Sequence, residues 1–263
     1  MANGSADTRR LRDRAAGSHN TGFIKCVAIL FMFADHAGKL FFPQIPEMRL
    51  LGRIAFPLFA WGIVLGSGYT RNIWRYTLRV LITGIVSQPL YMLALKHPWP
   101  GFIWNDPSTW GSMNIFFTLA LGLAAIACIR EKRFLSQIWG PCLALMAAAV
   151  FPVDYGWKGV LLILVLYGAR RDRAALAAAF LSFCLFWGLT SASVSVFFGY
   201  RIPSKGALSN LVTTVVRMQF FAILALPLIL WDPVKPFRTP KWFSYGIYPF
   251  HLIVLYLIGL IVR

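Results

Sequence analysis

The chain has 263 residues, 58% of them hydrophobic and only 13% charged, with a mean hydropathy of +0.65. Soluble domains carry roughly twice that charged fraction, which excludes a soluble globular fold and leaves a single membrane domain with room for about eight or nine spans. The formal net charge of +17 lies in short clusters between apolar runs, the distribution of the positive-inside rule, so the partner it implies is a lipid bilayer and not nucleic acid.

In chain order, residues 1–20 are polar and carry Arg9, Arg10, Arg12 and Arg14. They are expected to form a disordered basic cytoplasmic tail, with residues 21–263 as one membrane domain. The apolar run that follows is long for a signal peptide and reads as an uncleaved first span. Hydropathy places spans near 22–42, 50–68, 76–95, 113–129, 138–152, 157–168, 174–198, 211–230 and 243–262. The fold class is therefore all-α, a polytopic bundle of about nine spans. The run from Trp157 to Gly168 is short for a full crossing. Losing it and its neighbour would leave seven spans and the same orientation. Placing the N-terminus in the cytoplasm puts about two thirds of the 26 basic residues on the inner side. Cys26, Cys128, Cys142 and Cys184 are scattered in apolar runs, which suits buried thiols and neither a disulfide framework nor a metal site.

Asp35-His36 is the most informative pair. A carboxylate inside a spanning helix costs roughly 2.5–3.5 kcal/mol on insertion scales, so it faces a cavity or a partner. The imidazole beside it titrates near neutrality and suits proton transfer. At 1.5 Å per residue both lie about 20 Å above the inner end of the first span. Arg53, Asn114, Asp154, Tyr155 and Arg217 fall in the same outer depth band, and His251 lies near the midplane. Successive residues on a helix point about 100° apart, so one of the pair can face substrate while the other holds an arginine such as Arg53 or Arg217. His251, in a helix interrupted by Pro249, suits either a hydrogen-bonded core residue or a second base. Arg71, Arg75 and Arg79 recur at four-residue spacing and share one helical face. They fit either headgroup contacts that fix topology or a bidentate clamp on a phosphate-rich molecule.

Six blocks carry a family resemblance: Asp35-His36-Ala37-Gly38, Gly52-Arg53 through Ala60, Ser87-Gln88-Pro89, Asn114 through Gly122, Asp154-Tyr155-Gly156-Trp157-Lys158-Gly159, and Tyr248-Pro249-Phe250-His251-Leu252. In this order they resemble the TraX family, named for the acetyltransferase of conjugative F-type pilin, within a wider group of multi-pass acyltransferases. The resemblance implies transfer of an acetyl group from cytosolic acetyl-CoA to an acceptor amine or hydroxyl on the outer side. A pilin N-terminus, an amino sugar or an envelope glycan would serve as acceptor. It also implies an active site at Asp35-His36 in a bacterial inner-membrane protein. On this reading His36 is the general base, or carries the acetyl group covalently, and Asp35 with Arg53 fixes the ring. Asn114 donates to the oxyanion, and His251 is a second base. Arg71, Arg75 and Arg79 hold the CoA phosphates. Gln88, Asp154, Tyr155 and Arg217 support the site or the substrate. A homo-oligomer is compatible with the sequence, which does not set the state. The rival reading is a proton-coupled transporter in which Asp35, His36, Asp154, Arg217 and His251 form a relay. No internal repeat of the kind that builds many transporters is visible.

Overall fold

The computed structural model describes residues 21–96, 111–194, 196–201, 217–231 and 239–262. Among them the architecture is a helical membrane bundle. The basic tail and the tryptophan-rich stretch from Trp99 to Trp110 lie outside the described residues.

Helix α1 (Thr21–Leu40) buries Ile24, Ala28 and Met32 at four-residue spacing, and its 20 residues reach about 30 Å. Pro46 opens the short α2 (Pro46–Gly52), a position where the missing N–H costs nothing. Arg53 and Ile54 then donate to the carbonyls three residues back, at 3.1 Å each. The tight turn separates α2 from α3 (Ala55–Tyr69). The expected second span is thus two helical pieces, with Arg53 held at the break.

Helix α3 is buried at most of its positions, including Phe56, Leu58, Trp61 and Val64. An all-round apolar helix belongs at the centre of a bundle, and here it is the hub. Helix α4 (Ile73–Tyr91) starts on an Asn72 cap that accepts from Arg75 N–H at 3.0 Å. Near its end Pro89 removes a donor, and the chain widens into a π-turn, Met92–Lys96. Lys39 from α1 donates to the Leu95 carbonyl of that turn at 3.1 Å.

Helix α5 (Ile115–Arg130), α6 (Phe134–Val150), α7 (Gly156–Ala169) and α8 (Arg173–Leu189) follow with short connections. The connection before α5 is tied to the one before α7, because Met113 N–H donates to Pro152 O and Asp154 N–H to Met113 O. Helix α8 ends earlier than the expected span 174–198. The Thr190 and Ser191 hydroxyls bond back to carbonyls of the last turn, a local competitor of helix. A hairpin of two-residue strands follows, β1 (Val196–Phe197) and β2 (Tyr200–Arg201). Phe198 and Gly199 at its turn both have positive φ, as two-residue hairpin loops require. The expected span 211–230 begins outside the described residues. From Met218 it runs as a 3₁₀ helix to Ala225 and then as α9 (Leu226–Leu230). Helix α10 (Lys241–Val262) closes the chain against α1 and α4.

By length and apolar composition, three stretches among the described residues can cross a membrane: Pro46–Tyr69, Ile73–Leu95 and Tyr245–Val262. Exposed apolar side chains cover the outer faces of α4, α6 and α10, among them Ile85, Leu135, Trp139, Val150, Leu257 and Ile261. In water such a surface would aggregate; in a bilayer it is the solvated one.

Candidate active site

Asp35 and His36 leave α1 in different directions, and each finds a partner distant in sequence. The Asp35 carboxylate pairs with the guanidinium of Arg53, with the two side chains only 17% and 12% exposed. Arg53 Nε donates to the Arg49 carbonyl at 3.1 Å, and its guanidinium carbon stands 6.0 Å from the centre of the Tyr155 ring. Gly52 makes this approach geometrically possible. A Cβ there would lie 2.7 Å from Asp35 Oδ1 and 2.8 Å from its Cγ. Gly52→Ala is therefore expected to push the carboxylate off Arg53 and destabilise the protein by about 1–3 kcal/mol, seen as a lower melting temperature in detergent.

His36 meets His251 of α10. Its Nδ1 lies 2.9 Å from Nε2 of His251, and the ring planes are 15° apart with centroids separated by 5.1 Å. His251 is wholly buried, between Phe33 and Tyr248, each 5.0 Å away by ring centroid. A hydrogen bond between two imidazoles needs one N–H and one lone pair. Nδ1 of His251 is buried and has no hydrogen-bond partner among the described residues. Which ring supplies the N–H follows from the tautomers of the pair. In the arrangement where His36 donates from Nδ1, its Nε2 is the basic nitrogen.

The other sequence candidates separate into groups. Asn114 and Gln88 form a buried node: Asn114 Nδ2 donates to Gly84 O at 2.8 Å and to Gln88 Oε1 at 3.0 Å. Its Oδ1 accepts from Phe116 N–H at 3.0 Å and caps α5. Both amide hydrogens are thus engaged, and Asn114 has none left for an oxyanion; it positions α5 against α4. Asp154 accepts through its carbonyl from Thr118 Oγ1. Tyr155 caps α7 from the left-handed region, φ 64°, and stacks on Phe56 at 4.0 Å. Burial raises its phenol above the usual range, although Arg53 opposes the shift, so the hydroxyl stays protonated. Arg217 stands at the head of the 3₁₀ helix in extended backbone and donates to Ser191 O at 2.6 Å. It is not inside a span as the hydropathy pattern implies.

Two cavities lie along the bundle on the Thr21 side of the histidine pair. The larger, about 250 Å³, is lined by Lys25, Tyr76, Arg79 and Tyr245 at its polar end and by Phe59, Phe116 and Leu119 deeper in. The smaller, about 20 Å³, shares Ile29, Phe59, Phe116 and Leu119 with it and is bounded by Met32 and Tyr248. Lys25, Ile29, Met32 and His36 follow one another at four, three and four residues, so they form one stripe along α1. From Lys25 to His36 that stripe runs about 16 Å. Arg71, Arg75 and Arg79 are all exposed, and of the three only Arg79 lines one of these cavities. Lys25, Tyr76, Tyr245 and Tyr248 were not distinguished by sequence reasoning. The one available signal was the stripe on α1, which puts a lysine and a histidine on the same face.

These features define a class: a helical membrane protein with a partly buried histidine pair, a neighbouring carboxylate–guanidinium pair and two adjoining cavities on one side of it. Residues 20–259 match the family model described as TraX protein. The chain belongs to the TraX family. It is 30% identical over 164 residues to a probable fimbrial assembly protein FimC, serogroup H1, of Dichelobacter nodosus, covering 60% of this chain and 66% of that one. It is 29% identical over 180 residues to Protein TraX of Escherichia coli, covering 60% and 62%. An uncharacterized protein of Rickettsia prowazekii, 25% identical over 242 residues, is matched over 88% of this chain and 89% of its own. The match thus spans less than two thirds of the length of the first and second of these. No solved structure matches.

Proposed function

We propose that this protein is an inner-membrane acetyltransferase that moves an acetyl group from cytosolic acetyl-CoA to an amine or hydroxyl acceptor. The observation that carries this reading is the pair of adjoining cavities, one lined by Lys25 and Arg79 and the other by Tyr248, whose ring is 5.0 Å from that of His251. The Thr21 end of the bundle faces the cytosol, where the basic excess lies. Lys25 and Arg79 hold the phosphates, and the pantetheine arm follows the α1 stripe inward. Nε2 of His36 takes the proton of the acceptor as its nitrogen or oxygen attacks the thioester carbonyl. A C–N or C–O bond forms, the C–S bond breaks, and the proton passes to the departing thiolate. Such general-base help contributes about 10²–10⁴ in rate. His251 holds the His36 ring in place, and Asp35, neutralised by Arg53, anchors the adjoining turn of α1. Fimbrial and TraX names among the relatives favour a pilin-type acceptor over a glycan.

The test is purified protein in detergent with labelled acetyl-CoA. Thiol release, with label on the acceptor or on the protein, is expected; solute movement in liposomes without thiol release would favour a transporter. The cavity lining adds a sharper expectation. Lys25→Glu and Arg79→Glu, at residues that line the cavity, should each weaken acetyl-CoA binding at least ten-fold in equilibrium titration, whereas Arg75→Glu, at one that does not, should change it less than two-fold (a charge reversed at a phosphate contact against one reversed on the open surface).

A further inference from the structure

We infer that Ile29, Phe59, Phe116 and Leu119 form a collar that selects the length of the acyl group. This rests on the acyl-transfer reading and adds a substrate class to it: donors with two or three acyl carbons. These four side chains line both cavities, so they stand between the wide chamber and the small space bounded by Met32 and Tyr248. The chamber holds about 250 Å³, and the space beyond the collar only about 20 Å³. A single water needs about 10–15 Å³ of such space, so a terminal methyl fits beyond the collar and the propyl tail of a butyryl group does not.

The walls are firm. Leu119 is 4% exposed. Phe116 is held edge-on against Tyr248 with centroids 4.8 Å apart, and on its other side it lies against Gly84, where a Cβ would come within 3.0 Å of the Phe116 Cβ. Packed side chains of this kind do not yield a further two methylenes without strain. The lining of the small cavity is wholly apolar apart from the tyrosine hydroxyl and backbone, so the group accepted there is a hydrocarbon terminus and not a carboxyl-bearing acyl group such as malonyl or succinyl.

The experiment is a competition between acetyl-CoA and butyryl-CoA, with the transferred acyl group identified by its mass. Wild type should transfer acetyl in large excess. Leu119→Ala and Ile29→Ala should each raise the butyryl-to-acetyl ratio about ten-fold or more, since one methylene in an apolar pocket is worth roughly 10–200-fold. Leu119→Val and Ile29→Val, one methylene smaller, should shift the ratio in the same direction and serve if an alanine variant melts early. Stabilisation of the melting temperature by butyryl-CoA, measured alongside, should increase in the same order. Folded variants that keep the wild-type ratio would overturn the collar while leaving acetyl transfer standing. A wild type that releases thiol from neither donor would overturn both.

Discussion

His36→Ala is expected to reduce acetyl transfer by about 10²–10⁴, the usual worth of a positioned general base. The protein should stay folded, because the side chain removed is half-buried and not among the wholly buried residues of the core. His251→Ala should also lose activity, but for another reason: it takes away the ring that holds His36 in place through the 2.9 Å hydrogen bond. The two changes belong to one unit, so the double variant should be little worse than His36→Ala alone. Thiol release under single turnover measures all three. Additive losses would mean that the two rings act independently.

Arg53→Leu is expected to be the most destabilising single change at the site. It leaves the Asp35 carboxylate, 17% exposed, inside the bundle without its cation. Breaking a buried pair from one side costs about 3–5 kcal/mol, and the residual exposure here places the expectation at the lower end. Removing the second charge as well, in Asp35→Asn with Arg53→Leu, should recover much of that loss. Melting temperatures in one detergent check both statements; a double variant as unstable as the single one would show that Arg53 acts through packing on Tyr155 and not through charge.

The helices were legible because long apolar runs separated by short basic turns permit few other structures in a bilayer. Spans 22–42, 76–95, 113–129 and 243–262 match α1, α4 with its π-turn, α5 and α10 closely. What hydropathy missed were breaks made by hydrogen bonding and not by polarity. The turn at Arg53, the early end of α8 at Thr190 and the 3₁₀ start at Met218 all sit inside apolar sequence. The site was legible in part. A carboxylate and a histidine inside an apolar run announced themselves by their cost, and Arg53 was named as a partner because a buried carboxylate needs a cation. The pairing of His36 with His251 across 215 residues depends on how α10 docks on α1, which no local pattern encodes. Asn114 misled for a similar reason: an asparagine before an apolar run is as much a helix cap as a catalytic amide, and Gln88 and Gly84 decide the matter from another helix.

The most direct test of the central claim uses sealed proteoliposomes of known protein orientation, with acetyl-CoA supplied on one face at a time. Thiol release should follow only when acetyl-CoA is on the face bearing Lys25 and Arg79, and it should disappear in His36→Ala. Equal release from either face, or release only from the face bearing the Leu40 end of α1, would contradict a passage leading from Lys25 to the histidine pair.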